Sequence, residues 1–224
     1  MADSGARSHY FDSDPDGPSA PGLVDLVLPD TTLRLATDRG VFARDRVDTG
    51  TKLLLLDGPP PEAGDANLLD LGAGYGPIAC TLARRNPAAT VWAVEVNARA
   101  RRLCAANAER AGLTNVRVIA PDEAPADLAL DRIWSNPPIR IGKGALHALL
   151  LRWLGLLIPG RGTAHLVVQR HLGADSLQQW LTAQGHPTTR RRSRQAFRLL
   201  DVAARTDGDH QHHHHDGDPE AAGA

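Results

Sequence analysis

The sequence predicts an α/β domain: a doubly wound sheet of seven strands with helices on both faces, extended at its N-terminus by a short β-hairpin. Three observations predict it. Apolar runs of strand length alternate with helical stretches across most of the chain, the pattern of a parallel sheet covered on both sides. Gly or Pro stands at many of the boundaries between them, so the connections are short. The chain has 224 residues, 42% hydrophobic and 23% charged, the balance of one globular domain with a real core rather than a coiled coil, a collagen or a wholly disordered chain.

The elements follow in order. Residues 1–20, dense in Asp, Pro, Ser and Gly, read as a disordered leader, residues 21–205 as the domain, and 206–224 as a disordered, acidic, His-rich tail. Leu23–Leu28 and Thr32–Ala36 alternate in polarity around Pro29-Asp30, which predicts a hairpin. Asp48 caps a short helix through Lys52–Leu56. Leu68–Leu71 is a buried strand ending in a glycine-rich turn, and Pro77 opens a helix that runs to Arg85. Thr90–Val96 is a strand. Asn97 caps a helix through Ala111, with Gly112 just past its end. Val116–Ile119 and Arg132–Ser135 are strands, Gly144–Ile158 a helix stopped by Pro159-Gly160, and Thr163–Gln169 a strand. Asp175 caps a helix through Gln184. Thr188–Arg192 and Phe197–Ala203 complete the sheet.

Composition excludes several classes. Two cysteines, Cys80 and Cys104, rule out a disulfide scaffold or a four-cysteine metal cluster and fit a reducing, cytoplasmic setting. The polar N-terminus has no apolar core for a secretory signal. The most apolar stretch, Ala145 to Ile158, is interrupted by His147 and Arg152 and is too short to span a bilayer. No membrane and no metal are therefore expected. Five of the ten histidines lie in the tail, where a floppy segment holds no coordination geometry. The net charge of −1 hides a polarity: residues 17–200 hold 23 Lys+Arg and 16 Asp+Glu, a net of +7, between acidic ends. A basic body permits a polyanionic partner.

Four constellations carry chemistry, at the strand ends where open α/β sheets bind ligands. Asp70-Leu71-Gly72-Ala73-Gly74-Tyr75-Gly76 places three alternate glycines after a buried strand. Without Cβ atoms they let backbone turn sharply and approach a ligand closely. A dinucleotide fingerprint would put its third glycine at position 77, which is Pro77. Glu95 ends the next strand, where a carboxylate can accept from both ribose hydroxyls of a nucleoside. Asp122 and Glu123 follow the third strand as equal chemical candidates for an adenine amino group. Ser135-Asn136-Pro137-Pro138 ends the fourth strand, 60 residues past Gly76. Two prolines stiffen that turn and remove N–H donors, leaving carbonyls as acceptors. The Asn136 side-chain oxygen and the Pro137 carbonyl then offer two acceptors to one planar amino group, drawing its nitrogen toward tetrahedral geometry.

The D-x-G-x-G-x-G spacing resembles class I S-adenosylmethionine-dependent methyltransferases, and Asn136-Pro137-Pro138 resembles the [D/N/S]-P-P-aromatic motif of those that methylate amino groups. Together, over residues 22–203, the sequence resembles the small-domain family that includes the bacterial 16S rRNA guanine-N2 methyltransferases. Gly40-Val41-Phe42 and Asp48-Thr49-Gly50-Thr51 look like that family's approach segment. The resemblance implies a Rossmann-like, doubly wound seven-stranded sheet with the last strand antiparallel. It implies S-adenosylmethionine held by Asp70, Gly72, Gly74, Gly76, Glu95, Asp122 and Asn136, with Asn136, Pro137 and Pro138 catalytic. Asp122 is preferred to Glu123 because the family places its adenine-contacting acid nearer the strand end. The expected substrate contacts are Phe42, Ile139, Arg140 and Lys143. Ile139 stands where the family carries an aromatic that stacks on the target base, leaving Phe42 or Trp134 to supply a ring. The partner implied is RNA, ribosomal RNA or a ribosomal subunit, with guanine N2 the first target, adenine N6 the second and a protein glutamine amide the third. A cofactor-binding RNA module without turnover is the non-enzyme alternative. Fewer than 50 residues precede the first helix, so the degenerate second domain common in the family is expected to be absent. The run Arg190-Arg191-Arg192-Ser193-Arg194 is either a phosphate grip or a solvated strand.

Overall fold

The computed structural model describes residues 19–41, 43 and 45–205. The leader before residue 19, the tail after 205, and Phe42 lie outside them. The elements are β1 (Gly22–Val27), β2 (Thr32–Thr37), α1 (Thr49–Asp57), β3 (Asn67–Leu71), α2 (Pro77–Arg85), β4 (Thr90–Val94), α3 (Ala98–Arg110), β5 (Val116–Ile119), β6 (Arg132–Ser135), α4 (Lys143–Leu154), β7 (Thr163–Gln169), α5 (Ala174–Ala183), β8 (Thr188–Arg194) and β9 (Phe197–Ala203). β1 and β2 form the hairpin. The other seven strands form one sheet in the order β5-β4-β3-β6-β7-β9-β8. Neighbours from β5 to β7 pair in parallel. The last strand, β9, slots antiparallel between β7 and β8.

The sheet is covered on both faces. One core joins the hairpin, α1, α2 and α3 through Leu26, Leu35, Leu54, Leu82 and Cys104. The other joins α4 and α5 through Leu150, Trp153 and Leu181. β3 is buried from Leu68 to Leu71, as a central parallel strand must be. Because connections run to β4 on one side of β3 and to β6 on the other, a crevice opens above the C-terminal ends of these strands.

Local chemistry fixes the pieces around that crevice. The Asp48 carboxylate accepts from the Thr51 N–H and caps α1, and the Asn97 side chain accepts from the Ala100 N–H and caps α3. Asn107, buried on α3, clips the hairpin to the sheet domain. Its Oδ1 accepts from the Ala36 N–H at 2.7 Å, and its Nδ2 donates to the Ala36 and Tyr75 carbonyls, both at 2.9 Å.

Two helix boundaries differ from expectation. α4 stops at Leu154 rather than Ile158, because Leu130 N–H donates to the Leu156 carbonyl and Ile158 N–H to the Leu130 carbonyl. That pairing forms a one-residue parallel bridge to Leu157 and draws the chain out of the helix. Asp175 does not cap α5. Gly173, left-handed at φ 96°, holds that position, and Asp175 falls in the first turn.

Candidate active site

A cavity of about 610 Å³ opens at the crevice, a size that suits a nucleoside-sized ligand. Its walls come from the C-terminal ends of β3, β4, β6 and β7 and from the segment leading into α1. The glycine turn supplies the first wall. Gly72, Gly74 and Gly76 all have positive φ, at 79°, 56° and 93°, yet they do different work. A Cβ on Gly74 would meet no protein atom within 4 Å and would project into open space, whereas one on Gly76 would lie 2.6 Å from Cys104 Sγ. Gly74 leaves open space at the cavity wall. Gly76 lets α3 pack against the turn, and it does not line the cavity.

Asp70 does not line it either. It is wholly buried beneath the turn, where Oδ2 accepts from the Ala79 N–H at 2.8 Å while Oδ1 has no partner. Burial pushes its carboxyl up to about 8, against the pull of that N–H, and the charge of Glu95 adds to the rise. Asp70 therefore braces the turn from below, and the structure places it outside the cavity lining rather than in the expected wall.

Glu95 is a wall residue. Its Oε2 accepts from the Gly74 N–H at 2.8 Å and its Oε1 from the Asn97 N–H at 2.9 Å. Each oxygen keeps a lone pair, so the carboxylate is fixed in place and can still accept from a vicinal diol. Asp122 stands exposed on the 3-10 turn Pro121–Glu123 past β5 and does not line the cavity. The Glu123 side chain folds back to accept from the Ala120 N–H.

At the end of β6 the turn Asn136-Pro137-Pro138 takes a defined form. Asn136 Nδ2 donates to Asp48 Oδ1 at 2.7 Å and to Thr51 Oγ1 at 3.1 Å. With both amide hydrogens engaged, Oδ1 is the acceptor left to the cavity. The Pro137 carbonyl is not fully free as expected: Ile139 N–H donates to it at 2.8 Å, closing an inverse γ-turn at Pro138, whose φ and ψ are −75° and 73°. One of its two lone pairs remains. Ile139, Arg140 and Ile141 continue the wall, with Gln169 and Leu172 across from the end of β7. Lys143, exposed at the start of α4, does not line the cavity. Trp134 supplies no ring there. It is buried, with its indole N–H donating to the Pro59 carbonyl at 3.3 Å.

Sequence reasoning passed over Tyr75, Asn97, Gln169 and Leu172, and gave Thr51 no individual role. Tyr75 lines the cavity, and its buried hydroxyl has no hydrogen-bond partner in the protein. Burial, and then the nearby Asp48 charge, raise its pKa, so it stays a neutral donor. An orphaned donor, a glycine whose Cβ position is vacant, and a fixed carboxylate together fit a polar nucleoside cofactor. The arginine run also differs from a phosphate grip. Arg190 pairs with Asp175, Arg191 with Asp201, and both Arg192 and Arg194 with Asp57, at 2.7–3.1 Å. Among the described residues no cluster could hold a metal ion, and no helix is long and apolar enough to cross a membrane.

Known proteins resemble this chain in sequence and in fold. The model of the methyltransferase small domain family matches residues 32–200. The uncharacterized protein YbxB of Bacillus subtilis is 33% identical over 171 residues, covering 75% of this chain and 84% of that protein. The ribosomal RNA small subunit methyltransferase C of Pseudomonas putida is 40% identical over 124 residues, covering 53% of this chain and 35% of that protein. The structure of the T. thermophilus 16S rRNA guanine-N2 methyltransferase in complex with AdoMet and guanosine superposes with a TM-score of 0.70 at 24% identity, covering 85% of this chain and 52% of that one. The chain thus spans only about a third to a half of these two rRNA methyltransferases. The family match covers most of the described fold and all of the cavity's strand ends, and the chain therefore belongs to the methyltransferase small domain family, a family of S-adenosylmethionine-dependent methyltransferases.

Proposed function

We propose that this chain transfers a methyl group from S-adenosylmethionine to an exocyclic amino nitrogen, with guanine N2 of ribosomal RNA the first choice of target. The observation that carries the reading is Asn136: both its amide hydrogens are held by Asp48 and Thr51, so its oxygen is presented to a cavity that the glycine turn and Glu95 also line. When bound, S-adenosylmethionine supplies an electrophilic methyl group on sulfur. Glu95 would hold its ribose diol, and the Gly72–Gly74 backbone would hold its amino-acid part. Asn136 Oδ1 accepts one hydrogen of the target amine, and the remaining lone pair of the Pro137 carbonyl accepts the other. Accepting both pulls the nitrogen out of conjugation and aims its lone pair at the methyl carbon; as the N–C bond formed, the S–C bond would break with its electron pair staying on sulfur, and the methylated nitrogen would lose one proton to water. The work is positioning and fixed dipoles, with no covalent enzyme intermediate. Ile139 and Leu172 give the base apolar contact, and Gln169 offers a polar edge. Names and structures of relatives support ribosomal RNA, and the exposed Arg140 on the cavity rim supports a polyanion. Adenine N6 and a glutamine amide present the same amino geometry and are the alternatives.

The test is incubation of the purified chain with methyl-tritiated S-adenosylmethionine and, separately, small-subunit rRNA transcript, tRNA and ribosomal protein, followed by nucleoside and amino-acid analysis. Label in N2-methylguanosine is the expected result. Asn136→Ala should lower turnover a hundred- to thousandfold, the cost of one preorganised dipole, with S-adenosylhomocysteine affinity within a few fold. Label confined to protein would move the target to glutamine, and wild-type turnover in the variant would remove Asn136 from the mechanism.

A further inference from the structure

Resting on the reading of Asn136 as the acceptor for the target amine, we propose that Asp48 and Thr51 are positioning residues for the reaction: together they lock the Asn136 amide with its oxygen toward the cavity, and Asp48 dictates that position 136 carry an amide rather than an acid.

An asparagine amide is nearly symmetric in shape, so turning it by 180° exchanges its oxygen for its NH2. The flipped form would aim two donors at an amine that also donates, and no hydrogen bond would form. Packing by shape cannot choose between the two forms. Hydrogen-bond polarity can. Nδ2 faces two acceptors, Asp48 Oδ1 at 2.7 Å and Thr51 Oγ1 at 3.1 Å. Flipping would set the amide oxygen against a carboxylate and leave both amide hydrogens without these partners.

The lock is rigid because its parts belong to the helix start. The same Asp48 Oδ1 accepts from the Thr51 N–H at 3.0 Å as the cap of α1. Asp48 and Thr51 sit on one turn, and Thr51 is buried. The cap that begins α1 therefore also orients a side chain 85 to 88 residues further along. It follows that an acid at position 136 would meet Asp48 at hydrogen-bond distance, and two carboxylates so close cannot both ionise.

Two measurements test this on the full chain. The first needs no substrate. In ¹⁵N-labelled protein the Asn136 side-chain amide, identified by its absence in Asn136→Ala, should exchange its hydrogens at least tenfold more slowly than an exposed asparagine. Thr51→Val leaves the backbone cap and the Asp48 bond in place and should speed exchange of the hydrogen that Thr51 holds, and Thr51→Ser should restore its protection. Exchange in the wild type as fast as an exposed amide would overturn the lock. The second is a swap, read as turnover on rRNA transcript with S-adenosylhomocysteine affinity and thermal midpoint measured alongside. Asn136→Asp should lose a hundredfold or more. Adding Asp48→Asn should recover at least tenfold of that, since it removes the opposing charge; an NH2 turned to the Oδ1 position to meet the new carboxylate gives up the cap to the Thr51 N–H, a loss the thermal midpoint reads. A double variant no better than Asn136→Asp would refute the dictation of residue 136. Should Asn136→Ala itself retain turnover, the proposed mechanism fails, while the exchange result still decides the lock.

Discussion

At the scale of single residues, the glycine turn separates two jobs that its spacing merges. Gly74→Val should abolish S-adenosylhomocysteine binding by calorimetry while leaving far-UV circular dichroism unchanged, because the new side chain projects into the cavity. A positive φ strains an L-residue at either position, and Gly76→Ala adds a clash of its Cβ with Cys104, so it should lower the thermal midpoint while leaving the cavity lining unchanged. The reverse pattern would reassign the two glycines. Asp70 makes a sign-definite prediction. Its pKa is raised from the usual carboxylate value to about 8 in the folded protein. Between pH 4 and pH 8 the native state therefore binds more protons than the unfolded chain, and stability falls as pH rises through that window. The contribution approaches about 1.4 kcal/mol per pH unit for one proton. Asp70→Asn keeps an acceptor for the Ala79 N–H and removes the titration. Urea unfolding at pH 5, 6, 7 and 8 should show a flatter slope in the variant than in the parent. Parallel slopes would mean that Asp70 stays ionised.

At the scale of elements, what was legible in the sequence was local. The hairpin, the caps of α1 and α3, the glycine turn and the alternation of strand and helix rest on neighbours within a few residues. What was not legible depends on distant partners. α4 ends early because Leu157 pairs with Leu130. Asn107 looks like any polar residue on a helix until Ala36, 71 residues away, is placed beside it. The direction of the Asp70 side chain was hidden because β3 is buried on both faces, so alternation gave no inner and outer side. The arginine run reads as surplus charge because Asp57, 135 residues before Arg192, is invisible from it. That pairing predicts non-additive stability. Asp57 has a side chain only 8% exposed, while Arg192 and Arg194 are more than half exposed. Removing either arginine leaves the other on the carboxylate and should cost less than about 1 kcal/mol. Removing both strands a buried charge and should cost on the order of 3 kcal/mol. A double-mutant cycle in urea checks this, and simple additivity would contradict it.

At the scale of the whole molecule, the question is which cations of a body with a net charge of +7 between residues 17 and 200 face an RNA. Counting charges in the sequence favours the run 190–194, but the fold turns those side chains onto Asp175, Asp201 and Asp57. A phosphate there would compete with carboxylates already in place. The rim of the cavity differs. Arg140 lines it, and Arg170 follows Gln169 in the turn that carries Leu172 across the opening; both are exposed. If the substrate is RNA, the rim cations are the ones that displace counterions on binding. Each true phosphate contact contributes about 0.7 to 0.9 to the slope of log affinity against log salt. Arg140→Ala and Arg170→Ala should each lower the slope by about that amount, measured by fluorescence anisotropy on a rRNA fragment from about 50 to 200 mM salt. Arg191→Ala should move it by much less, because that guanidinium is engaged with Asp201 before RNA arrives. An equal drop in all three variants would extend the RNA path along β8, and no salt dependence at all would remove RNA as the substrate while leaving the cofactor cavity and the Asn136 lock untouched.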